Sequence, residues 1–85
     1  MPVYVDSANL KFKNMIMCHM IADSIDELHD MALKIGMRKE WFQANSSFPH
    51  YDIPLFRKKR ALDFGAIEVS RRELGLKIRE LKKKL

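Results

Sequence analysis

The chain has 85 residues, 47% of them hydrophobic, with three Gly, three Pro and a formal net charge of +5, which is enough for one domain and excludes a second. A single core of this size buries only about 60–65% of the unfolded surface, so a homodimer is expected. One cysteine, Cys18, excludes an internal disulfide, and the longest apolar run, interrupted by His19, is too short to cross a bilayer, so a cytoplasmic protein without membrane contact is expected.

Pro2-Val3-Tyr4-Val5-Asp6 is rich in β-branched and aromatic residues and stops at the turn-forming cluster Asp6-Ser7-Ala8-Asn9, which predicts a first strand. Met15 to Ile21 predicts a second. Between them no helical pattern occurs, so the two can pair as an antiparallel ribbon with a long loop. Ser24 and Glu27 have the spacing of a capping box. Behind them Ile25, Leu28, Met31, Ala32 and Ile35 share one helical face, and Gly36 ends the helix in a left-handed cap. Trp41 and Phe42 predict a short third strand, and residues 44–47 a loop. Pro49 and Pro54 bracket His50, Tyr51 and Asp52, which reads as a presented loop, and Pro54 suits the first turn of a helix closed by Gly65. Ala66 to Val69 predicts a short strand, and Ser70 with Glu73 a second capping box. The last helix is expected to bury Leu74, Ile78, Leu81 and Leu85, with Gly75 costing about 1 kcal/mol against Ala. Strands alternating with helices predict an α/β domain, its short sheet of about four strands mixed or largely parallel, carrying three helices.

Charge is uneven along this frame. Residues 57–85 carry eleven Lys or Arg and four acids, a net +7, whereas residues 1–56 carry five and seven, a net −2. Such asymmetry points to an anionic partner, either a phosphorylated small molecule or nucleic acid. Arg57, Lys58, Lys59 and Arg60 fall in the first turns of the second helix, where cations oppose the dipole unless an anion compensates them. The alternatives are an exposed turn for this run and solvated lysines at 82–84.

In open α/β sheets ligands gather at the carboxyl ends of parallel strands. The polar residues predicted there are Asp6, His19, Asp23, His50, Tyr51 and Asp52, which converge if the strands run parallel. Asp6, His19, Asp23 and His50 are the candidate metal ligands, and His50, His19 and Asp52 the candidate acids and bases. Ligand binding is assigned to His19, Asp23, His50, Tyr51 and Asp52 with Arg57, Lys59 and Arg60. Each has a structural alternative: His19 as a core imidazole bonded to backbone or Asp23, His29 as a helix-flank residue, Asp52 as a helix cap. No compact metal signature, Walker loop or nucleophile elbow is present. Cys18 and His19 alternate across a strand and so cannot form a nucleophile pair.

Several blocks together carry a resemblance: Val3-Tyr4-Val5-Asp6, Cys18-His19-Met20 with Ala22-Asp23, Glu27-Leu28-His29, Trp41-Phe42-Gln43, His50-Tyr51-Asp52-Ile53, Lys59-Arg60-Ala61, and Gly65-Ala66 with Glu68-Val69. In this order they resemble the domain-of-unknown-function family 4031, of bacteria and their phages. The resemblance implies no particular activity. It does imply that His19, Asp23, His50, Tyr51, Asp52, Lys59 and Arg60 lie in the family's recognisable blocks. Three functions are expected from these readings. The first is non-enzymatic binding of an anionic ligand such as a nucleotide, for example to sequester a signalling nucleotide. The others are a small metal-assisted phosphoesterase and nucleic-acid binding through the basic third.

Overall fold

In the computed structural model, residues 2–7, 10–12, 14–44 and 48–83 are described. Strands β1 (Val3–Val5), β2 (Leu10–Phe12) and β3 (Met15–Ala22) come first, followed by helix α1 (Ile25–Lys34) and a single 3-10 turn at Lys39–Trp41. Strand β4 (Tyr51–Pro54), helix α2 (Leu55–Asp63), strand β5 (Ile67–Glu68) and helix α3 (Arg71–Lys82) complete the fold. It is the expected α/β domain with three helices and a mixed sheet.

β3 is the spine of that sheet. β4 pairs with it antiparallel along one edge, with His19 opposite Asp52 and Met20 opposite Tyr51. β1 and β2 lie in line along the other edge, both antiparallel to β3, with Val5 opposite Met20 and Leu10 opposite Met17. The register therefore slips by two residues between them, and that slip interrupts the edge at Asp6. β5 adds to the outside of β1 as the sheet's parallel pair. The antiparallel ribbon of the first two strands is thus present, and the largely parallel alternative is replaced by a mixed sheet.

Alternation along the strands separates two faces. Val3, Val5, Cys18, Met20, Ala22, Tyr51 and Ile53 turn to one side and pack with Leu28, Met31, Ala32 and Ile35 of α1 and Ala61 of α2. Ile21 turns to the other and packs with Leu74 and Leu81 of α3. Burial pushes the Cys18 thiol up to about 12, so it is a core group without thiolate character.

Local signals hold at the helix ends. Ser24 accepts from the Glu27 amide, and Ser70 and Glu73 make the full reciprocal box, whose bonds hold the exposed Glu73 carboxyl below its ordinary range. Of the predicted α1 face Ile25 is exposed, since it stands in the first turn beyond the edge of the core. Leu85 lies outside the described residues. Two other expectations are corrected. Trp41 closes a 3-10 turn, leaving Gln43 to make one antiparallel bridge with His50. His50-Tyr51-Asp52 leads directly into β4 and is no presented loop, because the two prolines delimit a strand whose amides pair with β3. Asp52 therefore does not cap α2; Pro54 occupies that position with no side-chain cap.

Gly36 and Gly65 are left-handed, with φ of 84° and 103°. At Gly36 a Cβ would stand 2.5 Å from Arg57 Nη1, which donates 2.6 Å to the Ile35 carbonyl at the end of α1. Gly36→Ala is expected to cost about 1–2 kcal/mol for the left-handed backbone alone, lowering Tm by about 4–8 °C per kcal/mol. Gly75 is the contrast, because it is helical and a Cβ there meets nothing within 4 Å. Gly75→Ala is expected to stabilise by about 0.5–1 kcal/mol in the same thermal melts.

Candidate metal centre

The register that builds the sheet also builds the site. Asp6, His19 and Asp52 are directly opposed on three adjacent strand positions, so their side chains project from the same face in a row. His50, two residues before Asp52, joins them.

The slip at Asp6 supplies the first contact. The Asp6 amide donates 3.1 Å to the His19 carbonyl, as in a regular ladder. The His19 amide returns its hydrogen bond to the Asp6 side chain, 2.8 Å to Oδ1. The second carboxylate oxygen, Oδ2, lies 2.7 Å from His19 Nδ1. Asp6 is the one buried charged residue among the described residues, and both its oxygens are committed to His19. Accepting from Nδ1 fixes a proton there and turns Nε2 outward.

His50 is oriented in the same manner by a different group. Its Nδ1 lies 2.8 Å from the Phe48 carbonyl, an acceptor only, so Nδ1 carries a proton and Nε2 is turned toward Asp52. The two rings meet edge to face with centroids 5.3 Å apart. Both Nε2 atoms address the same oxygen: Asp52 Oδ1 is 3.9 Å from that of His19 and 3.2 Å from that of His50. The second distance falls within ion-pair range without making a hydrogen bond. Asp52 Oδ1 is buried with no hydrogen-bond partner among the described residues.

A buried carboxylate oxygen without a hydrogen-bond partner is costly. His19, His50 and Asp52 each offer one ligand atom, all within 4.8 Å of one another. Ligands on a tetrahedral ion with bonds of about 2.0 Å sit about 3.3 Å apart, so these atoms, within 4.8 Å of one another, would close by up to about 1.5 Å around an ion. Two imidazoles and one carboxylate are the donor set of catalytic zinc and of non-haem iron(II) sites, with positions left for water or substrate. Asp6 behind His19 is then the carboxylate that orients a ligand.

The triad stands between two hollows. His19 and His50 open onto a cavity of about 220 Å³ whose other walls include Asp6 and, from α3, Arg71, Leu74 and Gly75. Asp52 borders a groove of about 740 Å³ along the part of the sheet beyond α3, lined by Met15, Met17, Met37, Trp41 and Phe56.

The remaining sequence candidates lie elsewhere. Tyr51 faces the opposite side, buried, with its hydroxyl 2.7 Å from His29 Nδ1, and burial raises its phenol. His29 is therefore more than a flank residue: it completes an aromatic cluster with Phe42 and Tyr51. Asp23 lies 3.8 Å from Lys77, away from the triad. Arg57 holds the end of α1, and Lys58 pairs with Glu68 at 2.7 Å. Lys59 and Arg60 are exposed on α2. Asp6 is turned to the His19 amide and Nδ1, and Asp52 is the carboxylate that stands with His19 and His50. Arg71 was not a sequence candidate, for a residue just inside a capping box gives no sign of what it faces.

Fold and site together define a small α/β protein with a two-histidine, one-carboxylate cluster on the partly covered face of its sheet. The chain belongs to the family of unknown function DUF4031, whose model matches residues 3–81. No curated protein and no solved structure matches it. No helix among the described residues is long and apolar enough to cross a membrane.

Proposed function

We propose that this chain is a small hydrolase of phosphoesters that uses a divalent metal ion held by His19, His50 and Asp52. The observation that carries the reading is the convergence of two oriented Nε2 atoms on a buried carboxylate oxygen that lacks a hydrogen-bond partner among the described residues. Such an ion supplies Lewis acidity and lowers the pKa of a bound water toward about 7. The chain's own residues do the rest. Asp6 and the Phe48 carbonyl hold the imidazoles, and Arg71 faces them across the cavity, where it can neutralise a phosphoryl oxygen. In the reaction water's oxygen bonds to phosphorus and the ester P–O bond breaks. The departing oxygen takes a proton from that water, giving an alcohol and phosphate.

Non-enzymatic capture of an anion by residues 57–60 has less support, because Arg57 and Lys58 spend their charge inside the fold. The test is release of nitrophenol from p-nitrophenyl phosphate by protein stripped with chelator and reloaded with zinc, manganese or cobalt. Turnover is expected only after reloading, falling on the order of 100-fold or more in His50→Ala. Metal-independent turnover, or turnover equal in His50→Ala, contradicts the proposal.

A further inference from the structure

We infer that the substrate is a phosphomonoester of an aromatic or similarly flat apolar alcohol, with its phosphoryl group between the triad and Arg71 and its ring in the methionine-lined groove. The inference rests on the metal-dependent reading above and adds the identity of the two halves of the ligand.

The smaller hollow selects the headgroup. At about 220 Å³ it is below the usual range of about 300–1,000 Å³ for drug-sized ligands, so it takes a group and not a whole molecule. Arg71 on α3, in no ion pair among the described residues, lines it together with the imidazoles of the sheet. Arg71 opens α3, so the positive end of the helix dipole lies on the same side. Asp6, the acid in this wall, is hydrogen-bonded to His19 at both oxygens. A tetrahedral phosphoryl group has diverging oxygens that address an ion and a guanidinium together, whereas a planar carboxylate spends both oxygens on one of them.

The larger hollow selects the body. Its apolar lining is Met15, Met17 and Met37 with Trp41 and Phe56, which are 45% and 61% exposed, and Lys11, Glu40 and Arg57 also border it. Methionine sulfurs and aromatic faces favour a flat polarizable ring. Asp52 borders this groove while its Oδ1 is directed at the two histidines that border the other hollow. A molecule lying across the triad therefore has its scissile ester bond at the boundary between the two.

Phenylphosphonate, whose C–P bond resists hydrolysis, is the probe, with methylphosphonate and benzoate as its two halves. Titrations of zinc-loaded protein are read by calorimetry and by the fluorescence of Trp41, the chain's single tryptophan. Phenylphosphonate is expected to bind on the order of tenfold tighter than either half, the least that burying a ring contributes, and to perturb Trp41. Trp41→Ala should erase the advantage over methylphosphonate. Arg71→Gln should weaken both phosphonates with zinc uptake unchanged. Both residues are exposed, so these variants are expected to fold, with circular dichroism as the check. Zinc uptake with equal binding of the three probes overturns this inference and leaves the metal reading standing. An advantage that survives Trp41→Ala also overturns it. Failure to take up zinc removes both.

Discussion

Asp52→Asn is expected to leave the fold intact and abolish metal-induced stabilisation. The side chain is 36% exposed on β4 and accepts no hydrogen bond at Oδ1 among the described residues, so the amide removes no native bond there. The metal-free variant should unfold within about 1 kcal/mol of wild type. Any gain would reflect relief of a buried charge. The metal-loaded state should differ sharply. An ion at about 100 times its dissociation constant stabilises the native state by about 2.7 kcal/mol, and a neutral amide is a poor ligand in place of a carboxylate. Thermal melts with and without zinc should separate for wild type and superimpose for Asp52→Asn. An equal shift in both proteins would place the ion elsewhere.

Asp6→Asn is expected to disable the site without touching a ligand. Two donors, the His19 amide and Nδ1–H, now fill the two Asp6 oxygens. An asparagine has one carbonyl oxygen and presents its NH2 to the other donor. His19 meets that donor only by surrendering the Nδ1 proton, and the neutral ring then carries it on Nε2, where a metal needs a lone pair. Metal affinity should fall by about 10–100-fold, the usual effect of losing the group behind a histidine ligand. Nitrogen NMR of the metal-free protein should show His19 changing tautomer while His50, held by the Phe48 carbonyl, does not. An unchanged His19 tautomer with unchanged affinity would show that Asp6 is structural only.

These two aspartates also show where sequence reasoning stops. Asp6, His19, His50 and Asp52 were all legible as candidates, since polar groups beside predicted strands are few in so short a chain. The route by which they meet was not. The expectation was convergence at the carboxyl ends of parallel strands, whereas the row Asp6, His19, Asp52 is produced by antiparallel register and a two-residue slip between β1 and β2. Register depends on which strands pair, a tertiary outcome with no local signature. The two aspartates also differ in where they meet the ring: Asp6 sits on the Nδ1 side of His19 and Asp52 on the Nε2 side, a distinction that no spacing encodes.

Local chemistry was read well where it is self-contained. Ser24 and Ser70 cap their helices, and Gly36 and Gly65 take the left-handed conformation. In the basic run, long side chains reach past their own helix: Arg57 crosses to the Ile35 carbonyl and Lys58 to Glu68, so these two act as ties within the fold, while Lys59 and Arg60 stay exposed on α2. For His50-Tyr51-Asp52 the local signal pointed away from the outcome. Flanking prolines suggested a loop, but alternation on β4 sends Tyr51 into the core and Asp52 to the site.

X-ray absorption of zinc-loaded protein tests the central claim most directly, because it reads the ligand atoms themselves. One zinc per chain is predicted, with a first shell of light atoms at about 2.0–2.1 Å, an imidazole signature from two rings, and no sulfur at about 2.3 Å. A sulfur shell, or a zinc signal without imidazole, would contradict a centre built from His19, His50 and Asp52.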